Sequence, residues 1–303
     1  MRQRGKLLPG KLAALVADGV TLLIIGGAIT FFVSQGRGNK PTRGDLLTGV
    51  LARGVIRVST DANSAPQSSL KPDGTFAGFD IDVATEIAKR LGVKVRFVVP
   101  GGWDAVIAGN WADQWDMSVG SMTVTKQRAE VLYFTPGYYF TSAQFAARRG
   151  AGITSIDDIH GKAVCVGLAT TYHGYLMGKD IGIPDSDIKV EAPIGVRVMP
   201  LSDAECLQAM QVGRQEFDVF LTSATVIDKA MADGIDLVKV GEPVFVEALA
   251  AAFDKSSSLD SSSLRDKVSE IIEAMHADGT LSEFSKKWFD GADLTVASNG
   301  SKG

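Results

Sequence analysis

The chain has 303 residues, which is enough for two domains that each bury a hydrophobic core. Hydrophobic residues make up 45% of the sequence and charged residues 22%, and this composition excludes wholesale disorder. The formal net charge of −4 is uneven, because residues 1–43 hold seven basic residues and one acid. The remaining 24 basic and 34 acidic residues give the body a net charge of −10, which argues against nucleic acid as a partner.

An apolar segment runs from Leu12 to Val33, interrupted by Asp18 and preceded by basic residues. An apolar helix of about 20 residues can span a bilayer, and flanking cations stay on the cytoplasmic side. The uninterrupted part, Gly19–Val33, also suits the apolar region of a cleavable signal peptide. The sequence therefore predicts a hydrophobic helix within a leader and linker at residues 1–45. This helix is either a removed signal or an inner-membrane anchor, and the lack of a good cleavage site favours the anchor. Both alternatives place the body in the periplasm.

The two cysteines of the chain are Cys165 and Cys206. Cys165 lies in the strand-like run Ala163–Gly167, and Cys206 lies in the helix-like segment Asp203–Val212. An exported chain meets oxidising conditions, in which a lone pair of cysteines can form one structural disulfide. We therefore predict a Cys165–Cys206 disulfide, with two buried thiols as the alternative.

Short strands alternate with helices after the linker. The β-branched run Gly54–Thr60 predicts the first strand. Phe79–Leu91 predicts a helix, because its apolar residues recur at helical spacing, two aspartates stand in its first turn and Gly92 follows its end. The next predicted elements are a strand at 93–99, a short helix from Trp103, a strand at 117–119 and a helix at 125–131. This order is typical of an α/β fold with a mainly parallel sheet, which binds ligands at the carboxyl ends of its strands.

A second unit of the same kind begins near Thr154. Its predicted elements are a strand at 163–167, a helix from Thr171, a helix at 203–212 and a strand at 217–221. Two extended segments, Ala143–Arg149 and Ala248–Phe253, carry the chain into this unit and back. Two such crossings predict a hinge between two lobes. Helices at 264–275 and 281–288 follow, and residues 296–303 form a tail.

Six sequence phrases follow one another along the body: Gly54–Asp61, Gly74–Ala84, Met122–Glu130, Phe134–Tyr139, Ile153–Thr171 and Asp278–Phe289. In their order and spacing they resemble the amino-acid-type periplasmic solute-binding proteins of ABC transporters. No single phrase is decisive, but six in order make the resemblance specific. It covers residues 48–292 of the sequence.

The resemblance implies a two-lobed, periplasmic-binding-protein-like fold with a two-crossing hinge. Lobe 1 would comprise residues 48–142 plus 246–295, and lobe 2 would comprise residues 143–245. A small ligand that bears a carboxylate, either an amino acid or a derivative, would close the hinge between the lobes. An inner-membrane ABC permease would recognise the closed form. We expect a monomer without enzymatic activity.

Arg128 is the main candidate ligand-binding residue. It follows Thr123 and Thr125 where a strand gives way to a helix, so a guanidinium, hydroxyl groups and free amides can converge on one anion. Arginine suits a planar carboxylate better than lysine does. The resemblance implies that this position binds the ligand's α-carboxylate, with Gly120, Ser121 and Thr123 beside it. The alternative is an ordinary surface arginine on a helix.

Further candidates lie on both sides of the predicted cleft. Thr170 and Thr171 begin a helix of lobe 2, where a hydroxyl and a backbone N–H would meet the same carboxylate and couple binding to closure. A plain helix N-cap is compatible with that role. Trp103 is expected either as an aromatic wall of the pocket or as a core residue. Asp61, at the end of the first strand, can accept hydrogen bonds from a cationic ligand group.

Two positions depart from the pattern of the family. Ser64 stands where an aromatic residue is usual, and Ser223 stands where lobe 2 usually supplies an aspartate for the ligand's α-ammonium. A hydroxyl cannot neutralise an ammonium group, and an unpaired charge in a closed cleft is costly. We therefore expect a ligand without a free α-amine, or another acid such as Asp61 in the missing role.

Two rival functions fit the same sequence. Periplasmic cyclohexadienyl (arogenate or prephenate) dehydratases resemble these binding proteins, and such an enzyme needs a general acid, for which Asp61 and Glu191 are the only candidates. A membrane-tethered ligand sensor is the other rival. The three histidines show no metal-ligand spacing, and the sequence has no glycine-rich phosphate loop and no GxSxG turn. We therefore expect neither a metal nor a cofactor.

Overall fold

The computed structural model describes residues 44–184 and 187–296, together with three short strands of the leader. The leader, residues 1–42, and the body, residues 43–303, are separate units. The leader strands are β1 Val16–Ala17, β2 Val20–Ile25 and β3 Ala28–Phe32, which pair as an antiparallel sheet.

These strands occupy part of the segment for which the sequence predicts a hydrophobic helix. An apolar run without periodicity is compatible with either conformation, so the pattern alone does not decide between them. None of the described helices has the length and apolar character that crossing a bilayer requires. The rest of the leader and the tail beyond residue 296 lie outside the described residues, so the anchor or signal role stays a prediction.

The body contains a large mixed sheet and a small three-stranded sheet. The strands of the large sheet are β4 Val55–Ser59, β8 Lys94–Val98, β9 Met117–Thr123, β10 Leu132–Phe134, β11 Tyr139–Arg148, β12 Ala163–Gly167, β13 Arg197–Leu201, β14 Val219–Ser223 and β15 Leu237–Asp254. The small sheet comprises β5 Asn63–Ser64, β6 Ser68–Leu70 and β7 Phe76–Ala77.

The helices of the body are α1 Leu46–Arg53, α2 Phe79–Leu91, α3 Trp103–Ile107, α4 Lys126–Val131, α5 Thr171–Leu176, α6 Asp203–Gln211, α7 Ala224–Ala232, α8 Ser262–Ala277 and α9 Thr280–Trp288. A 3-10 turn covers Asp157–Ile159. The predicted bounds of α2 are confirmed. Gly92 ends this helix in the left-handed conformation, with φ of 74°, which glycine adopts without a steric penalty.

The large sheet is built from two parallel sets of strands. Its order is β13-β12-β14-β11-β15-β9-β4-β8, with β10 paired to β15. Strands β13, β12 and β14 run parallel to one another, and so do β9, β4 and β8. The antiparallel strands β11 and β15 join the two sets. They are the two predicted crossings, so the sheet is parallel within each set and mixed as a whole.

Each set of strands has its own hydrophobic core. One core packs α2, α8 and α9 against the sheet around buried residues such as Ile56, Phe79 and Val268. Another surrounds Phe145, Val164 and other buried residues of β12, β14 and α5. The two cores and the two crossings give the predicted two-lobed architecture. The exact division at residues 142/143 and 245/246 stays a prediction.

Cys165 and Cys206 form a disulfide, as the sequence predicts, with their Cα atoms 5.9 Å apart. Both residues are fully buried in a cluster that also contains Phe217 and Phe220. The bridge attaches helix α6 to strand β12.

Candidate functional site

A cavity of about 620 Å³ lies between the two lobes. Its walls come from the carboxyl ends of parallel strands in both sets, including Asp61 after β4, Leu168 after β12 and Ser223 at the end of β14. This is the position that the α/β order predicts for a ligand site.

The structure places most of the predicted ligand-binding residues around this cavity. Six of them line it: Asp61, Trp103, Gly120, Ser121, Thr170 and Ser223. The other three, Thr123, Arg128 and Thr171, are buried and do not line it. Both alternatives for Trp103 hold in part, because its ring lines the cavity and also packs against the core cluster around Trp111 and Trp115.

The buried carboxylate of Glu247, on β15, connects the two sides of the cleft. It accepts a hydrogen bond of 2.6 Å from the Thr123 hydroxyl on one side and one of 2.9 Å from the Thr171 hydroxyl on the other. The Tyr172 hydroxyl donates to its second oxygen. The predicted anion-binding threonines therefore do converge on one carboxylate, but this carboxylate belongs to the protein.

Arg128 lies in the first turn of α4. Its backbone N–H donates to the hydroxyl of the N-cap residue Thr125, at 3.1 Å. Its guanidinium Nη1 donates to the Thr123 carbonyl oxygen at 3.0 Å, and Cζ lies 5.5 Å from the centre of the Trp103 ring. The side chain contributes to a residue exposure of only 7%, so the alternative of a surface arginine is wrong.

Burial and charge act in opposite directions on the pKa values of Arg128 and Glu247. Burial lowers the pKa of the Arg128 guanidinium to about 10, although the negative charge of Glu247 counteracts it. Burial also raises the pKa of Glu247, and the hydroxyl donors and Arg128 oppose that rise. The guanidinium can donate five hydrogen bonds, and within the described residues it donates the one to Thr123. It therefore keeps donors for a further acceptor.

A second network holds the floor of the cavity. Asp80 accepts hydrogen bonds from the Ser121 hydroxyl at 2.8 Å and the Tyr138 hydroxyl at 2.9 Å, and the Tyr139 hydroxyl donates to Ser121 Oγ at 2.7 Å. Ser121 has a φ of 51°, which is rare for a residue with a side chain. The network fixes this strained residue, which lines the cavity.

We expect Asp80 to make the chain less stable as the pH rises. Burial raises the pKa of Asp80 to about 7, and its hydrogen bonds from Ser121 and Tyr138 only partly oppose this. A carboxyl with a higher pKa in the folded state favours folding while it is protonated, so the stability is lost as the pH rises through the folded pKa. Between about pH 5 and 7 the unfolding free energy should fall by about 2 kcal/mol more in the native chain than in Asp80→Asn. Urea titrations of both chains across this range measure the difference, and parallel pH profiles would contradict the assignment.

Asp203, the first residue of α6, also lines the cavity. Its Oδ2 accepts a hydrogen bond of 2.5 Å from the Thr222 hydroxyl. Burial raises its pKa to about 6, the Thr222 hydroxyl counteracts this, and the charge of Asp61 across the cleft adds to the rise. Asp61 itself accepts from the Asn63 N–H at 2.7 Å. Acids from both lobes therefore face the same space.

Hydroxyl and amide groups also link the lobes at Ser223. The Ser223 hydroxyl bonds the Thr225 hydroxyl and lies 3.4 Å from that of Thr141. The Gln67 side chain of lobe 1 donates to Thr225 of lobe 2 at 2.6 Å. The bond from Gln67 to Thr225 joins the two lobes across the cleft. Within the described residues, no cluster of three or more His, Cys, Asp or Glu side chains is placed to bind a metal ion.

The sequence interpretation missed Glu247 and Asp203. Glu247 is a single acid within the apolar run from Phe245 to Phe253, and an acid in such a run signals a buried charge that needs partners. Asp203 stands in the first turn of a predicted helix, where an acid is normally explained by the helix dipole.

A sequence model of the bacterial extracellular solute-binding proteins, family 3, matches residues 56–291. The chain belongs to this family. Among its relatives, the L-cystine-binding protein TcyJ of Escherichia coli is 28% identical over 292 residues, which cover 93% of this chain and 96% of TcyJ. The L-cystine-binding protein TcyA of Bacillus subtilis is 29% identical over 258 residues, covering 83% and 87%.

Solved structures of amino-acid-binding proteins have the same fold. An ancestral arginine-binding protein bound to arginine is 30% identical, with a TM-score of 0.66 over 78% of this chain and 99% of that protein. The ancestral amino acid-binding protein AncCDT-1, a precursor of cyclohexadienyl dehydratase, is 27% identical, with a TM-score of 0.68 over 81% and 100%. The relatives and the family are solute-binding proteins, and this chain is one as well. The two-lobed fold predicted from the sequence is confirmed.

Proposed function

We propose that the chain captures an amino acid or an amino-acid derivative between its lobes and presents the closed form to an ABC permease. The relatives that support this are named for binding cystine, arginine or other amino acids. The body would act in the periplasm as a monomer, held at the inner membrane if the leader is retained.

The observation that carries the proposal is the surplus of hydrogen-bond donors at Arg128. A buried guanidinium is costly unless it is paired and hydrogen-bonded. Glu247 supplies a neutralising charge, and the Thr123 carbonyl accepts one hydrogen bond. Arg128 does not line the cavity, so a ligand carboxylate would reach its free donors beside Trp103, which lines the cavity and contacts the guanidinium. Gly120, Ser121 and Thr170 would complete the surroundings of this carboxylate.

Glu247 would take a separate part in the same process. Its hydrogen bonds reach Thr123 from lobe 1 and both Thr171 and Tyr172 from lobe 2. Opening of the hinge would have to break one of these sets. We therefore assign the closing contact between the lobes to Glu247 and the recognition of the ligand carboxylate to Arg128.

The dehydratase alternative receives less support. Of its two candidate acids, Glu191 does not line the cavity, and Asp61 is exposed to solvent. The ancestral neighbour is itself named as an amino acid-binding protein. A sensor role would use the same binding event and differ only in the partner.

Calorimetry with matched ligands tests the proposal. The full chain, purified in mild detergent, is titrated with each of the standard amino acids and with the C-terminal amide of every amino acid that binds. The amides should bind at least about 100-fold more weakly, because loss of a charged acceptor at a buried guanidinium costs a few kcal/mol. Equal affinities for acid and amide would refute carboxylate recognition.

A further inference from the structure

The cavity has a strong excess of negative charge. The acids that line it are Asp61, Asp80, Asp104, Asp203 and Glu205, and its lining includes no lysine, arginine or histidine. None of these acids forms an ion pair with a basic side chain of the described residues. Acids from both lobes with no basic residue among them attract a ligand of the opposite charge.

Buried polar atoms without hydrogen-bond partners also line the cavity. Gln67 is 3% exposed and lines the cavity, and no donor among the described residues bonds its side-chain oxygen. The hydroxyls of Ser59 and Thr60, which also line the cavity, are buried without partners as well. Buried polar groups are rarely left unsatisfied in folded proteins, and the Gln67 oxygen can only accept, so it favours a ligand that donates hydrogen bonds.

We propose that Asp61 of lobe 1 and Asp203 of lobe 2 together bind a positively charged side-chain group of the ligand. This inference rests on the proposed function and narrows it to amino acids with a cationic side chain. A side-chain cation held between acids of both lobes would favour the closed hinge.

The number of acids around the cavity favours a ligand with a second positive group besides its α-ammonium. The carboxylate of an amino acid would be matched at Arg128, and its α-ammonium by one acid of the cavity. At least one of Asp61 and Asp203 would then remain uncompensated when the cleft closes over the ligand, and closing over an unpaired charge is costly. A ligand side chain with an ammonium or guanidinium group removes that cost.

Arginine and citrulline provide the test, because they have nearly the same shape and differ in the side-chain charge. The full chain should bind arginine at least about 30-fold more tightly than citrulline. Ornithine should exceed glutamine in the same way. In Asp203→Asn and in Asp61→Asn the arginine-to-citrulline ratio should fall at least about tenfold. Thermal unfolding of each variant verifies that it folds.

Asp104→Asn is the matched control, since it removes one charge from the same cavity wall outside the proposed pair, and it should keep most of the discrimination. Equal binding of arginine and citrulline, both weakened by amidation, would overturn the cationic site and leave the proposed function intact. Acid and amide forms that bind equally would instead refute the proposed function. If both Asp203→Asn and Asp61→Asn still prefer arginine to citrulline as strongly as the native chain does, other acids bind the cation and the proposed pair is wrong.

Discussion

Arg128→Met should lower the affinity for the bound amino acid by about 100-fold or more. The substitution keeps an unbranched side chain of similar length against Trp103 but removes the charge and every donor. The ligand carboxylate would then lose the buried cation proposed to bind it, a loss of the size found for buried charge pairs. Calorimetry on the full chain measures the change, and an unchanged dissociation constant would disprove the role of Arg128.

The same substitution affects stability through Glu247. Without Arg128, the carboxylate of Glu247 stays buried with hydroxyl donors but without a neutralising charge, and the chain should lose about 3 kcal/mol of stability. The double variant Arg128→Met/Glu247→Gln should regain more than half of that loss, because the amide carries no charge.

The double variant also separates structure from recognition. If Arg128 binds the ligand, affinity stays low in the double variant although stability returns. Glu247→Gln alone should keep ligand affinity within about tenfold of the native chain, because it leaves the guanidinium in place. Recovery of affinity together with stability would mean that Arg128 serves only to balance Glu247.

Removal of the disulfide should have the largest effect on stability. Cys165 and Cys206 are 41 residues apart in sequence, and the loss of loop-closure entropy for a loop of this length corresponds to about 4 kcal/mol. The double variant Cys165→Ala/Cys206→Ala should therefore be destabilised by about 2–4 kcal/mol, measured by urea unfolding.

Reduction of the native chain is the control for this measurement. In the presence of a strong reductant, its unfolding midpoint should approach that of the double alanine variant, which the reductant should leave unchanged. The bridge also anchors α6, whose first residue is Asp203. Arginine binding should therefore weaken when the bridge is lost. Equal stability of the native and variant chains would contradict the structural role of the bridge.

The sequence alone determined most of the fold. Helix α2 and strand β12 follow from apolar periodicity and from glycine at the helix end, which are local properties of the chain. The disulfide could be predicted because the chain contains only two cysteines, Cys165 and Cys206. The same reasoning missed α7 and the small sheet β5-β6-β7, since short elements of mixed polarity lack a strong period.

Only the tertiary structure decided which groups share one environment. The sequence predicted Thr123, Arg128 and Thr171 as anion-binding residues, but it could not show that Glu247, more than 70 positions away from Thr171, supplies a carboxylate to the two threonines. It likewise gave no sign that Asp203 faces Asp61 across the cleft. Charge interactions depend on distance and burial, which arise when remote segments pack together, whereas helix and strand periodicity is written into neighbouring residues.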